Sequence, residues 1–422
     1  MEAKTKSIVG ETILKSLFAL DGLKESSSTL IESLDNEIDK NKKILDSFMD
    51  PIREEIEVHD FNDETKSKIT FNVHFSQIRS FKAETIKFQH LLKAKTIVPR
   101  NFLISYVSEF DYFLGSLIRA FYQLRPDLIS KNIQYKFEDI IAFESIEEIK
   151  IDTIEKEIES LLRSSHTDQF KALETKTEMN TLRKLDIWPN FIEITERRNL
   201  FVHADGVISR QYLKVCSTAG LKVTDNMLGT KLGSDREYLD STFSIMFEMI
   251  TKLGFTLWRK FLEKDEDEFA LSDSYLIHII YELLIKEEYS LAIKIGEFLV
   301  NQHRHSNDKR KRMLTINLCL AYKYSDKIDK CKNILNKFDW SSTQTLFQLA
   351  ISCIEDKHEE SCTFIKRLIA ENEISEIALH EWPLFKILRS QKVFEEMYFE
   401  LFQSDFNRVS IVDKSDESDS DK

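Results

Sequence analysis

One short segment carries side chains whose types and spacing suit chemistry. Residues 196–206 read ERRNLFVHADG and contain Arg198, Asn199 and, four residues further on, His203. On a continuous helix, Glu196, Asn199 and His203 lie at positions i, i+3 and i+7 and form one polar stripe. Arg198 lies about 100° from Asn199 and about 140° from His203. An imidazole transfers protons near neutral pH, and a guanidinium binds carboxylates or phosphates.

Arg198 shares its flank of this helix with apolar residues. They are Phe191, Ile194, Phe201 and Val202. A guanidinium among such side chains is costly unless a carboxylate or phosphate satisfies it. On one helix Arg198 and His203 do not form a compact site. They converge if the helix breaks before His203, or if two copies of the chain face each other across a dyad.

The elements that must position these residues are helices. Pro189 suits a first turn and Gly206 suits the position past a helix end, so the sequence predicts a helix over 189–203. Residues 207–235 are predicted to be loop, with room for a short hairpin, and a second helix is predicted over 236–262.

Upstream, a predicted core helix covers 100–124 and ends before Pro126. Its apolar face recurs at three- and four-residue steps. The face comprises Val107, Phe110, Phe113, Leu114, Leu117 and Phe121. The preceding residues 1–95 are predicted to be an N-terminal helical region, with a strand at 69–75 (ITFNVHF).

The segment RNLFVH resembles the HEPN superfamily, whose mark is Arg, a polar residue, and His after four to six positions. Here these residues are Arg198, Asn199 and His203, with a helix before them and a long helix after an intervening loop. The resemblance covers roughly residues 96–262 and implies an HEPN-like helical bundle. Many HEPN domains are metal-independent endoribonucleases that act as dimers, with the motifs of both copies lining one cleft.

The resemblance also implies roles for the four residues. His203 is expected to be the general acid or base at the ribose 2′-hydroxyl or the leaving 5′-oxygen, and Arg198 to hold the scissile phosphate. Asn199 is expected to position His203 or the phosphate, and Glu196 to orient Arg198 or His203. The expected products are a 2′,3′-cyclic phosphate and a 5′-hydroxyl, formed from RNA by a homodimer with no metal or cofactor. Such enzymes often serve in phage defence or as toxins.

A structural interpretation stands beside this one. Arg198 can be a salt-bridged structural residue, Asn199 a hydrogen-bonding residue at a helix end, and His203 a cation favoured near a helix C-terminus. Some HEPN domains bind nucleotides or partners without cutting RNA. The chain is then a non-catalytic dimeric interaction protein, or the neutralising partner of a nucleotidyltransferase-type toxin.

Composition supports a helical protein and limits its partners. The 422 residues suffice for two or three domains. Hydrophobic residues make up 42%, with only 9 Gly and 5 Pro, which predicts an all-α fold with minor β. The net charge of −13 argues against general nucleic-acid binding, so RNA contact requires a local basic patch or a narrow cleft.

Cysteine usage and hydropathy predict a cytoplasmic protein. The five cysteines show no CxxC pair, which is typical of reduced intracellular thiols. The most apolar window, residues 101–122, is broken by Glu109, Asp111 and Arg119, so no membrane span is expected. The N-terminus shows no secretory cleavage pattern.

The C-terminal part is predicted to be a helical-repeat module. After an acidic, exposed linker at 263–274, residues 275–404 repeat weakly, and aligning Ala292, Cys331 and Cys362 gives spacings of 39 and 31. Tetratricopeptide repeats have a period of about 34 residues, so we expect a small solenoid that binds a protein or peptide partner. Residues 405–422 are predicted to be an acidic disordered tail.

Other candidate sites are weaker. Residues 301–312 contain His303 and His305 among five Lys and Arg residues. The alternation of these histidines does not fit usual zinc spacings, so the segment is predicted to be a solvated loop, and it is also a local patch for a phosphate backbone. The sequence contains no phosphate loop, serine-hydrolase elbow or His-Glu-x-x-His motif.

Overall fold

A computed structural model describes residues 6–48, 73–129, 134–300, 304–340 and 343–406. Within these ranges helices dominate, and β pairing is limited to an isolated antiparallel bridge between Val207 and Lys231. The prediction of an all-α fold with minor β is therefore confirmed. The chain folds as two compact units, and the boundary between them in sequence lies between Phe261 and Leu262.

The N-terminal unit, from Lys6 to Phe261, contains the candidate site. Its helices are α1 (Ile8–Ser47), α2 (Ile78–Leu124), α3 (Phe137–Ile141), α4 (Ile146–Leu162), α5 (His166–Thr177), α6 (Trp188–His203), α7 (Arg210–Thr218) and α8 (Arg236–Phe261). Helices α1, α2 and α8 pack against one another, and α6 packs against α2, α7 and α8.

The predicted apolar face of residues 100–124 forms the centre of this unit. All six of its predicted residues are at most 1% exposed. Phe110 contacts the ring of Phe191 in α6 at a centroid distance of 4.7 Å. Burial of these large side chains fixes α6 against α2, since each contributes about 1.5–3 kcal/mol of transfer free energy.

Helix α2 is longer than predicted, because it starts at Ile78 and passes through Pro99. A proline inside a helix removes one backbone hydrogen bond. Here α1 packs along α2 and compensates, and Lys95 Nζ donates to Asp35 Oδ1 of α1 at 2.6 Å. Residues 6–48 and 73–95 therefore belong to the same compact unit as the rest of α2.

Two other predictions for this unit need correction or fall outside the structure. Residues 69–72 of the predicted strand lie outside the described residues, and Phe75–Gln77 is a 3₁₀ helix. The predicted loop over 207–235 contains helix α7. The hydroxyl of Ser209 caps α7 by accepting a hydrogen bond from Tyr212 N at 3.2 Å. On the apolar side of α7, Tyr212 and Cys216 are buried.

The C-terminal unit, described to residue 406, is also helical. Its helices are α9 (Glu266–Ile285), α10 (Tyr289–Val300), α11 (Asp308–Tyr324), α12 (Ile328–Leu335), α13 (Thr345–Ile354), α14 (His358–Ala370), α15 (Glu376–Glu381) and α16 (Lys392–Phe402). Helix α11 packs against α9, α10, α12 and α13, and α14 packs against α13 and α16.

The same short turn joins α9 to α10, α11 to α12 and α13 to α14. Glu287, Asp326 and Asp356 each have a left-handed backbone, with φ of 58°, 57° and 58°, and the next helix begins two residues later. In each turn the following residue donates its N–H to the carbonyl five residues before it, at 2.8–2.9 Å. This bond satisfies a carbonyl at the helix end. Five residues after each turn residue stand Ala292, Cys331 and Ser361, all buried.

The register of these turns corrects the repeat alignment in one place. Ser361, rather than the predicted Cys362, is equivalent to Ala292 and Cys331. Cys362 is buried as well, at 4% exposure, because two successive residues of α14 face the interior. Residue type alone does not separate these two positions.

The acidic segment 263–274 is exposed only in its first part, and most of it is helical rather than a linker. Helix α9 begins at Glu266, capped by Asp265, whose carboxylate accepts a hydrogen bond from Glu268 N at 3.0 Å. Residues 263–267 are exposed, but Phe269 and Asp273 are buried, so the later part of the segment belongs to the C-terminal core. The segment's acidic residues suit the positive end of a helix dipole.

His305 is also placed differently from the prediction. Its side chain is 5% exposed and lies 3.7 Å from Asp273, so it is not solvated. His303 and residues 407–422 of the predicted tail lie outside the described residues.

The cysteines and the hydropathy of the helices can be compared with the sequence. All five cysteines are buried and none forms a disulfide. Among the described residues, no helix combines the length and apolar character needed to cross a bilayer.

Candidate functional site

Helix α6 places the predicted site residues at its C-terminal end. It runs from Trp188 to His203 with Pro189 in its first turn, as the sequence predicts. Asp205 and Gly206 follow with φ of 47° and 83°. The helix therefore continues to His203, and the backbone turns away from it at Asp205 and Gly206.

The backbone beyond α6 is fixed by Gly206. Its N–H donates to the Leu200 carbonyl at 3.0 Å, and its own carbonyl accepts from Leu232 N at 2.9 Å. A Cβ at Gly206 would lie 2.9 Å from the Leu232 carbonyl oxygen. Only glycine accommodates both the positive φ and this close approach.

Alanine at Gly206 is expected to destabilise the unit more than alanine at Gly229. Both glycines have positive φ, 83° and 78°, but nothing lies within 4 Å of a Cβ at Gly229. Gly229→Ala should therefore lose only the backbone term, roughly 1–2 kcal/mol. Gly206→Ala should lose about 1–3 kcal/mol more from the steric clash. Urea denaturation of both variants measures the difference, and equal losses would show that the clash is relieved without cost.

Asp205 connects the end of α6 to two cations. Its carboxylate accepts from Arg100 Nη1 at 2.6 Å and from Lys231 Nζ. Hydrogen bonds from Lys231 and then Arg100 lower the pKa of Asp205 to about 2. Because the pKa is lowered on folding, this pairing contributes its full stability above the ordinary pKa of an aspartate and is present at neutral pH. The contribution is lost as the pH falls towards 2.

A basic groove lies beside this pairing. It is open, has a volume of about 590 Å³, and is lined by Lys93, Arg100 and Lys231 together with Gln89, Leu92, Thr96, Leu232 and Gly233. The groove thus has three cations, of which Arg100 and Lys231 share the carboxylate of Asp205.

A buried carboxylate holds the 207–238 region against α6. Glu193 Oε1 accepts from Arg197 Nε and from Tyr212 Oη, both at 2.7 Å, and Oε2 accepts from Tyr238 Oη at 2.6 Å. Arg197 also donates to the Gly233 carbonyl at 3.0 Å and stacks over the Tyr238 ring. Burial, followed by the nearby Glu193 charge, raises the pKa of Tyr238 well above its usual value. Tyr238 therefore remains a hydrogen-bond donor at neutral pH.

Arg198 is satisfied by a carboxylate within the chain. Its Nη2 donates to Asp111 Oδ2 of α2 at 2.9 Å, and its Nη1 donates to Asn199 Oδ1 at 3.1 Å. The Arg198 Nε is buried and has no hydrogen-bond partner among the described residues. The side chain is 25% exposed. Arg198 is thus an anchored and partly exposed guanidinium.

Glu196 contacts Asn199 rather than Arg198 or His203. Asn199 Nδ2 donates to Glu196 Oε1 at 3.5 Å. Burial raises the pKa of Glu196, an effect that the nearby His166 opposes. Within a single chain, Glu196 therefore does not contact Arg198 or His203, the residues that it is predicted to orient.

His203 is exposed and makes no hydrogen bond or ion pair with any residue of the described ranges. It is the last residue of α6. Because α6 is continuous, Arg198 and His203 stay about 140° apart around its axis. One copy of the chain therefore does not bring the two together.

The sequence does not identify two residues that join Arg198 in one hydrogen-bonded cluster, namely Asp111 and His166. Asp111 interrupts an apolar window, where it indicates only that the window does not cross a membrane. His166, the first residue of α5, places Nε2 2.9 Å from Asp111 Oδ1. An acidic residue inside a core-forming helix indicates a partner, but the sequence does not say which one.

Comparison with known proteins gave no significant match to a protein-family model, a curated protein or a solved structure. Within the described residues, no group of three or more His, Cys, Asp or Glu side chains is arranged to hold a metal ion.

Proposed function

We propose that this protein is a metal-independent endoribonuclease of HEPN type that acts as a pair of chains. The supporting observation is the position of His203. It is exposed at the end of a fixed helix, two residues before Asp205, which pairs with two of the three cations of the basic groove. A proton-transfer group beside a phosphate-binding surface suits RNA cleavage.

The chemistry follows from the residue types. His203 acts as general acid or base at the ribose 2′-hydroxyl or the leaving 5′-oxygen. Arg198 binds the scissile phosphate and stabilises its developing charge, and Asn199, bonded to Arg198 Nη1, helps to position it. Arg198 and His203 lie on the same helix but about 140° apart around its axis. A second copy of the chain across a dyad therefore completes the site.

The C-terminal unit is proposed to be a regulatory module of three stacked helix pairs, α9–α10, α11–α12 and α13–α14. The recurring turn after α9, α11 and α13 supports this proposal, as do the contacts of α11 with both α9 and α13. Such a module binds a protein or peptide partner and restrains or releases cleavage. Phage defence or toxin activity is the biological context that the HEPN resemblance implies.

The test is cleavage of end-labelled tRNA and of a mixed-sequence RNA by the full chain in EDTA. The proposal expects products with a 2′,3′-cyclic phosphate and a 5′-hydroxyl, absent with Arg198→Ala. Arg119→Ala is the matched control, because Arg119 is also a partly exposed arginine of this unit and pairs with Glu155 at 2.7 Å. Equal cleavage by the parent and Arg198→Ala would contradict the proposal.

One observation favours a second candidate, a non-catalytic dimeric interaction protein. The ion pair between Arg198 and Asp111 is what a structural arginine would form. This candidate predicts stable dimers that leave RNA intact under all conditions, including after removal of any protein or peptide bound to the C-terminal unit.

A further inference from the structure

A carboxylate in the C-terminal third of α2 joins a histidine to the arginine of the proposed site. Asp111 Oδ2 accepts from Arg198 Nη2, and Asp111 Oδ1 accepts from His166 Nε2, both at 2.9 Å. The carboxylate only accepts, so the imidazole Nε2 donates. Three helices, α2, α5 and α6, therefore meet in one chain of hydrogen bonds.

Among the three hydrogen-bonded side chains, His166 is the most buried. The His166 side chain is 11% exposed, and its ring lies 5.9 Å from Phe110 and 5.7 Å from Phe191. Asp111 and Arg198 are more open, at 27% and 25%. The order of exposure means that His166 is fixed by the core and in turn fixes the carboxylate.

The arginine end keeps donors for a ligand. Asp111 and Asn199 each take one N–H from a different Nη atom of Arg198. A guanidinium has two N–H groups on each Nη, so one on each remains. A guanidinium held in this way loses little freedom when a phosphate binds, which is the condition for effective stabilisation of developing charge.

We infer that Asp111 is a positioning residue of the cleavage site, acting through Arg198, and that His166 holds the Asp111 carboxylate in place. This inference rests on the proposed ribonuclease function. Without the Asp111 carboxylate, the Arg198 side chain can adopt more rotamers and is no longer held in the orientation that contacts the phosphate. Binding of RNA along the basic groove continues, so the loss falls on kcat rather than on KM.

A purely structural ion cluster makes a different prediction. It stabilises the packing of α2, α5 and α6 and affects activity only through the folded fraction. The control is Glu155→Gln, which weakens another arginine–carboxylate contact of α2, between Arg119 and Glu155 at 2.7 Å. Glu155 and Arg119 are 43% and 39% exposed, and neither contacts Arg198 in the structure.

The experiment measures kcat and KM of RNA cleavage by the full chain for Asp111→Asn, Arg198→Ala, the double variant and Glu155→Gln. Asp111→Asn is expected to lower kcat roughly 10- to 100-fold, with KM changed less than about threefold. In the Arg198→Ala background it should cause no further loss of the slow residual cleavage measured at high enzyme concentration, because Asp111 acts through Arg198. Glu155→Gln should retain the parental kcat.

A second pair of variants leaves the carboxylate intact. His166→Gln keeps an N–H donor for Asp111 and should retain more of the parental kcat than His166→Ala. Unfolding free energies from urea titration correct each rate for the folded fraction.

The possible failures are distinguishable. Parental kcat in Asp111→Asn, alongside an inactive Arg198→Ala, overturns the inference and leaves the proposed function standing. Losses in Asp111→Asn and Arg198→Ala that simply add also overturn it. Parental cleavage by Arg198→Ala, or no cleavage by the parent, overturns the proposed function and the inference together.

Discussion

Replacing His203 with glutamine is expected to lower the rate of RNA cleavage by roughly 10²- to 10⁴-fold. Glutamine keeps hydrogen-bonding capacity but does not exchange a proton near neutral pH. His203 is exposed and bonds to none of the described residues, so the free energy of unfolding should change by no more than about 0.5 kcal/mol. Single-turnover cleavage and urea denaturation of the same preparations measure both quantities.

His90→Gln is the matched control, since His90 is another exposed histidine of the same unit, on α2. It should cleave RNA at the parental rate. Cleavage by His203→Gln at the parental rate would remove His203 from the mechanism.

Replacing Glu193 with alanine is expected to cost about 3–5 kcal/mol of unfolding free energy. The Glu193 side chain is only 9% exposed and accepts hydrogen bonds from Arg197, Tyr212 and Tyr238. Its removal leaves the Arg197 guanidinium, 15% exposed, without the carboxylate that compensates its burial. Urea titration of the parent and the variant measures the loss.

Glu155→Ala provides the comparison for this stability effect. Glu155 also pairs with an arginine at 2.7 Å, but its side chain is 43% exposed, so the loss should stay below about 1 kcal/mol. Glu193→Ala should also weaken RNA cleavage, since the 207–238 region that carries Lys231 is held by this network. Equal losses of stability in the two variants would show that burial does not strengthen the Glu193 network.

The sequence was sufficient for elements whose signals are local. Pro189 and Gly206 set the limits of α6 within one residue, because a proline fits a first turn and a glycine fits a positive φ. The 3.6-residue period likewise identified the buried face of α2. The requirement that Arg198 meet a carboxylate or phosphate was also correct, since the cost of an unpaired buried guanidinium is a general property.

Features that depend on tertiary packing were not predictable. Asp111 and Arg198 are 87 residues apart, and no local pattern links them. The start of α2 at Ile78 depends on its packing against α1, which outweighs the penalty at Pro99. The burial of His305, and of Phe269 and Asp273 in α9, follows in the same way from neighbours distant in sequence.

The central claim is that each RNA-cleaving site combines Arg198 of one copy with His203 of the other, so that a pair of chains carries two such sites, and a mixing experiment tests it most directly. Arg198→Ala and His203→Ala, each inactive alone, are co-expressed with different tags, and the mixed pairs are purified and assayed in EDTA. If Arg198 of one copy works with His203 of the other, each mixed pair keeps one complete site. An unsorted equal mixture should then recover roughly a quarter of the parental rate. Mixed pairs that form and remain inactive would contradict the shared site.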